Sequence, residues 1–178
     1  MPEPVKYYGK YRGNVASNED PLKMGRITAV VPDVLGQTPS GWAMPALPLA
    51  GPQVSTYAVP PAGAGVWVEF EHGDKSFPIW TGCWWGSEQE VPPSAQVGSP
   101  TIPPNIVLQP QAGPQGAPTM ILTGDDSGNG ELKITLETPG GASLVITNNQ
   151  IVISNGQGAS ISLEGNTVNI NNGALTIT

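Results

Sequence analysis

At 178 residues the chain has room for one domain or two small ones. Its 23 Gly and 20 Pro, with only 12% charged residues, disfavour long helices and point to an all-β protein with many turns. The net charge of −7, without a basic patch, weighs against charge-driven binding of nucleic acid or of an anionic membrane surface. One cysteine, Cys83, leaves no intramolecular disulfide framework and fits folding in a reducing cytosol. It is expected as a small buried side chain beside Trp80 and Trp84. The opening MPEPVKYYGKYRGN has no apolar core of a secretion signal, so none is expected. No apolar run approaches the ~20 residues of a membrane helix.

Along the chain, strand candidates fall at Gly9–Ser17, Gly25–Val31, Gly41–Ala46, Gly65–Glu71 and Pro78–Trp84. Gly25-Arg-Ile-Thr-Ala-Val-Val31 is a β-branched run that stops at Pro32. Val66, Val68 and Phe70 alternate with Trp67, Glu69 and Glu71, the period of a half-buried strand. His72-Gly73-Asp74 follows as a tight turn. Five short strands in this space make a small antiparallel barrel or sandwich, first of all an OB-type barrel. Every aromatic residue lies at or before Trp85, so residues 1–90 are expected to form this domain with large side chains in its core. Residues 91–118 hold two Pro-rich stretches and are expected to be an extended connector, with a short strand at Ile106–Leu108.

Residues 119–178 are expected to form a third segment, in which 125–141, 142–158 and 159–175 repeat with a period of seventeen. Ile134, Ile151 and Val168 fall in one column, and Leu136, Ile153 and Ile170 in the next. Ser127, Leu144 and Ile161 align, as do Asn129, Ile146 and Leu163; Pro139, Gly156 and Gly173 share a turn column. Such a unit holds two short alternating strands and two turns, too little to bury its own apolar face, so it must stack. Leu144, Ile146, Ile151, Ile153, Ile161, Leu163, Val168, Ile170, Leu175 and Ile177 are expected on one face. Their burial would supply roughly 15–30 kcal/mol per chain as an upper bound. The other face carries small polar residues, with Val145 and Val152 as exceptions. Three chains around a common axis would bury the apolar face and remove free sheet edges. The expectation is a homotrimeric, intertwined, triple-stranded β-helix with the first eight of those residues as its core.

With both halves read, the chain resembles the phage-type baseplate central spike proteins, the gpV/VgrG-like family. The resemblance rests on the order of Gly25-Arg26-Ile27, Val31-Pro32-Asp33, Gly41-Trp42-Ala43 with Pro45, Leu49-Ala50-Gly51, Pro60-Pro61-Ala62-Gly63 and VWVEFEHGDKSFPIWTG at 66–82. It implies an N-terminal OB-fold followed by a C-terminal trimeric β-helix. It further implies a structural role in the virion tail baseplate, assembled in the host cytoplasm. There a trimer on the tail axis docks on a hub protein and pierces the host envelope when the sheath contracts. Two departures stand out. The chain has no room for the enzymatic insertion of some relatives, and the His-x-His tip of some short spikes is absent, since His72 is the only histidine. Leu175, Ile177 and Thr178 are therefore expected to dock a separate tip protein of the PAAR type.

Chemistry-bearing residues are sparse. Glu69 and Glu71 lie two apart on a strand, and His72 neighbours Asp74, yet no nucleophile or ligand cluster accompanies them. Asp125 to Gly130 has the composition of a Ca²⁺ loop without its terminal bidentate Glu. Trp80, Trp84 and Trp85 have the aromatic character of a base-stacking platform, but core packing is the simpler reading. Tyr7, Tyr8 and Tyr11 with Lys6, Lys10 and Arg12 form a basic-aromatic arm, read either as a docking element or as the first barrel strand. The expectation is no enzyme, no cofactor, no metal and no nucleic-acid partner. The second reading is an OB-fold binding module, for nucleic acid or carbohydrate, on a trimerising stalk.

Overall fold

The computed structural model describes residues 3–96, 106–123 and 133–177. The chain divides into two compact units, Met1–Glu90 and Val91–Thr178.

In the first unit the strands are β1 (Tyr11–Ser17), β2 (Thr28–Val30), β3 (Met44–Pro45), β4 (Ala50–Gly51), β5 (Val54–Ser55), β6 (Gly65–Phe70) and β7 (Pro78–Trp84). Five of them form one sheet in the order β2-β1-β6-β7-β3, antiparallel except for β3 beside β7. Its two edges meet where Ala43 N–H donates to Ile27 O at 2.7 Å and Ile27 N–H donates to Ala43 O at 3.2 Å. That backbone pair closes the five-stranded OB barrel. The second and third strands are shorter than the sequence suggests. Pro32 both stops β2 and opens a single helical turn, α1 (Pro32–Leu35), because proline's fixed φ suits the first helical position. Between β3 and β6 the hairpin β4–β5 stands apart as its own two-stranded sheet.

Alternation builds the barrel core. Val66, Val68 and Phe70 point inward and join Val15, Ile27, Ala29, Val31, Ala43 and Trp80. Trp80 keeps its indole N–H satisfied by donating to Gly25 O at 3.0 Å. Gly65 has no alternative: a Cβ there would stand 2.6–2.7 Å from the Trp84 carbonyl and indole. Tyr7, Tyr11 and Phe70 stack with ring centroids 5.7–6.3 Å apart, which ties the N-terminal arm to the barrel.

The second unit is a single antiparallel meander. Its strands are β8 (Ile106–Leu108), β9 (Thr119–Thr123), β10 (Lys133–Glu137), β11 (Ser143–Ile146), β12 (Gln150–Ser154), β13 (Ser160–Glu164), β14 (Thr167–Ile170) and β15 (Leu175–Ile177). Each pairs with its neighbour in sequence to give one eight-stranded sheet. The short strand expected at Ile106–Leu108 is present, and it starts this sheet by pairing with β9. The seventeen-residue unit is one hairpin: β10–β11 and β12–β13 each take up one period. Pro139, Gly156 and Gly173 all fall in the connections β10–β11, β12–β13 and β14–β15. Within the single chain the hydrogen-bonded ladder runs between consecutive strands. Residues 147–149 and 165–166 join consecutive strands directly, which is the span of a hairpin.

The two units differ in closure. Every buried residue among the described ones lies in the first unit. The meander has none, although it is built from Ile, Leu and Val.

Candidate functional site

The register of the meander gathers its large aliphatic residues into two parallel rows on one face. The first row runs Ile106, Leu122, Ile134, Ile146, Ile151, Leu163, Val168, Ile177. The second runs Leu108, Met120, Leu136, Leu144, Ile153, Ile161, Ile170, Leu175. Each row crosses all eight strands with an apolar residue at every step. A two-residue spacing within each strand puts both rows on the same side. In the isolated chain this face is open: Ile151 is 37% exposed, Ile153 50% and Ile106 61%. A hollow of ≈ 510 Å³ beside the second row is lined by Leu108, Met120, Leu136 and Leu144 together with Pro118, Glu137 and Ser143. A continuous apolar face of this size is far beyond what a soluble monomer leaves to water.

All eight residues expected as the trimer core lie in these rows. Ile146, Ile151, Leu163 and Val168 stand in the first, and Leu144, Ile153, Ile161 and Ile170 in the second. Leu175 and Ile177, expected to dock a tip protein, continue the same rows on β15, an edge strand of the sheet. Thr178 lies outside the described residues. Six members were not singled out from sequence. The repeat columns already carried the signal for Ile134 and Leu136. Met120 and Leu122 sit in an unbroken apolar run with Ile121, which hides the alternation, and Pro-rich surroundings mask Ile106 and Leu108. The opposite face carries Val107, Ile121, Thr135, Val145, Val152, Ser162 and Asn169 in its middle row, so Val145 and Val152 do point away from the apolar face.

The turns let the hairpins stack. Gly156 has φ +73°, and a Cβ there would fall 2.5 Å from the Gly141 carbonyl carbon. Asn155 Oδ1 accepts from Gln157 N–H at 2.9 Å and Ala159 N–H at 3.0 Å, fixing the same turn. Asn171, with φ +50°, accepts from Ser160 N–H at 3.0 Å through Oδ1 and donates its own N–H to Ser160 O at 2.8 Å. Asparagine supplies the turn hydrogen bonds and tolerates the left-handed backbone.

The residues with chemical potential do not assemble. Glu69 is held by Lys10 at 2.7 Å, and Lys10 also donates to Thr81 at 2.9 Å. Glu71 opens a separate turn. Asp74 Oδ1 accepts from Ser76 N–H at 2.9 Å, and Ser76 with nearby Lys6 and Lys75 holds its carboxyl below the usual range. Asp20 is held lower still, by Arg26 at 2.6 Å and by the N–H groups of Leu22, Met24 and Arg26. No group of three or more metal-ligating side chains occurs among the described residues. The segment Asp125–Gly130 lies outside them. The tryptophans do not form one platform: Trp80 is core, Trp84 is half-buried and donates to Val66 O at 3.1 Å, and Trp85 is exposed. Arg12, of the basic-aromatic arm, is part of β1, its guanidinium 5.0 Å from the Trp84 ring and 5.6 Å from Trp67. Cys83 corrects the sequence expectation: it is exposed, one residue from the end of β7.

Comparison with known proteins bears on both units. Residues 11–85 match the type VI secretion system/phage-baseplate injector OB domain. Residues 115–176 match the phage baseplate V C-terminal trimerisation domain. No curated protein matches the chain. The first match spans β1 through β7, and the second spans β9 through β14 and reaches into β15. Together they cover most of the chain.

Proposed function

This chain belongs to the phage-type baseplate central spike family, gpV/VgrG-like, and we propose that it is the structural central spike of a contractile tail baseplate or related injection system. The observation that carries the reading is the pair of apolar rows. Three copies of the meander, each presenting that face to a common axis, would enclose a dry core from sixteen side chains per chain. Since about half of each side chain is already covered in the single chain, closure would add on the order of 10–20 kcal/mol per chain before association costs. Such a rod fails only when many strand pairs break together, which suits a part that transmits load.

In this role the barrel docks on the hub that joins the tail tube. The rod is driven through the host envelope on sheath contraction. Leu175 and Ile177, exposed on edge strand β15, offer backbone and apolar surface to a separate tip protein of the PAAR type. Both matched families are structural baseplate domains, so no catalytic step is assigned. In this role the protein is part of the virion tail.

Light scattering of the purified chain tests the reading. A trimer is expected, and a monomer at micromolar concentration overturns it. The binding-module alternative predicts retention of single-stranded DNA or oligosaccharide at low salt. The spike reading predicts none, in keeping with the net charge of −7.

A further inference from the structure

The barrel carries an exposed segment without a single charge. From Val34 to Val68 the chain contains no Asp, Glu, Lys, Arg or His. Within that run every residue of 48–58 is exposed, including the β4–β5 hairpin. The surface of a soluble domain is ordinarily about a quarter to a third charged. Charge depletion together with exposed Leu, Met and Tyr is instead the composition of an interface centre.

The segment is part of a wider patch. Leu49, Val54 and Tyr57 are 50–62% exposed, and Leu22, Met24 and Met44 are 43–64% exposed. Tyr57 and Val59 at 3.5 Å and Pro45 at 3.8 Å stand round the place where a Cβ of Gly25 would be, and Met24 and Met44 are the chain neighbours of Gly25 and Pro45. Thr56 N–H donates to Leu49 O at 3.0 Å, which holds the two ends of the hairpin together and Leu49 near Tyr57. Arg26, the cation beside Gly25, is neutralised by Asp20 and lies over Trp42. Six large side chains at about half exposure present roughly 600 Å² per barrel, not far short of the ~800 Å² per partner of a stable interface.

We infer that segment 48–58 of each barrel docks on a neighbouring copy of the same chain within the trimer, an inference that rests on the trimeric reading above. Two arguments select a second copy as the occupant. Joining three chains through their C-terminal domains raises the local concentration of barrels to the millimolar range, so a patch too small to hold free monomers together pairs readily. Permanent homo-oligomeric contacts are also the class with the most apolar composition, and this patch offers hardly any charge for steering a transient partner.

The test is amide hydrogen exchange on the full chain, read by mass spectrometry and set beside the Ile151→Asp variant, with light scattering on both. The hairpin's own hydrogen bonds protect equally in either, so the difference isolates docking. The expected result is at least tenfold slower exchange across 48–58 in the trimer than in the dissociated variant. A trimer whose 48–58 amides exchange as fast as the variant's overturns this inference and leaves the trimer standing. A wild-type chain that is monomeric overturns the trimeric reading, and this inference with it. Protection that appears only after a hub protein is added assigns the patch to the hub instead. As a second probe, Leu49→Asp with Tyr57→Asp should lower the melting temperature of the barrels in the trimer while tryptophan fluorescence shows them folded; no change in that temperature counts against docking.

Discussion

Gly156 sits against Gly141 so closely that a Cβ on Gly156 would lie 2.5 Å from the Gly141 carbonyl carbon and 2.6 Å from the Gly140 oxygen. The turn between β12 and β13 thus stacks directly on the turn between β10 and β11. With φ at +73°, Gly156 meets both a conformational and a steric demand. Gly156→Ala should destabilise the rod by about 2–4 kcal/mol, combining left-handed strain with overpacking. Gly165, with φ +58° and open space around it, is the contrast. Gly165→Asn should stay within ~0.5 kcal/mol. Circular dichroism during denaturant unfolding of both variants checks the pair.

The two sheet faces make opposite predictions for the same charge. Ile151 faces Leu163 in the first apolar row, whereas Ser162 belongs to the middle row of the other face. Ile151→Asp or Ile153→Asp would bring three unpaired carboxylates together on the axis and should abolish the trimer. Ser162→Asp should leave it intact. Light scattering at matched concentration reads the difference directly, and a trimer that survives Ile151→Asp removes the apolar face as the interface.

The rows were legible in sequence because the strand period and the repeat period agree. Seventeen residues cover one hairpin, so Ile134, Ile151 and Val168 return to the same row. The periodicity does not encode how the turns are held: Asn155 and Asn171 fix theirs through backbone contacts that alternation alone does not reveal. In the barrel, Val66, Val68 and Phe70 were readable from the strand period alone. The exposure of Cys83 was not, because it lies one residue from the end of β7, where exposure depends on what covers the strand end and not on alternation. The charge-free run around β4–β5 was present in the sequence, but its meaning depends on its being exposed.

Asp20 gives the barrel a pH dependence of known sign. Its carboxyl is held well below its ordinary 3.8, first by Arg26. A depressed carboxylate stabilises the folded state above the unfolded pKa and loses that contribution as pH falls towards the folded one. Asp74, also depressed, adds in the same direction. The melting temperature followed by tryptophan fluorescence should therefore be flat from about pH 7 to 5 and fall below about pH 4. Asp20→Asn should start lower at neutral pH and fall less on acidification. An unchanged acid slope in the variant would remove Asp20 as its source.

Trp80 and Trp85 separate core from surface among residues of one type. Trp80 is 6% exposed and its indole N–H is the donor to Gly25 O at 3.0 Å, whereas Trp85 is 64% exposed. Trp80→Phe keeps an aromatic ring but leaves that carbonyl without its partner beside the Asp20–Arg26 loop. The expected cost is about 1–3 kcal/mol of barrel stability, from the stranded acceptor and the smaller ring. Trp85→Phe should change stability by no more than ~0.5 kcal/mol. Urea unfolding of the two variants followed by circular dichroism checks both. Equal costs would mean that Trp80 contributes only bulk, and that the Gly25 hydrogen bond does not fix the entry to β2.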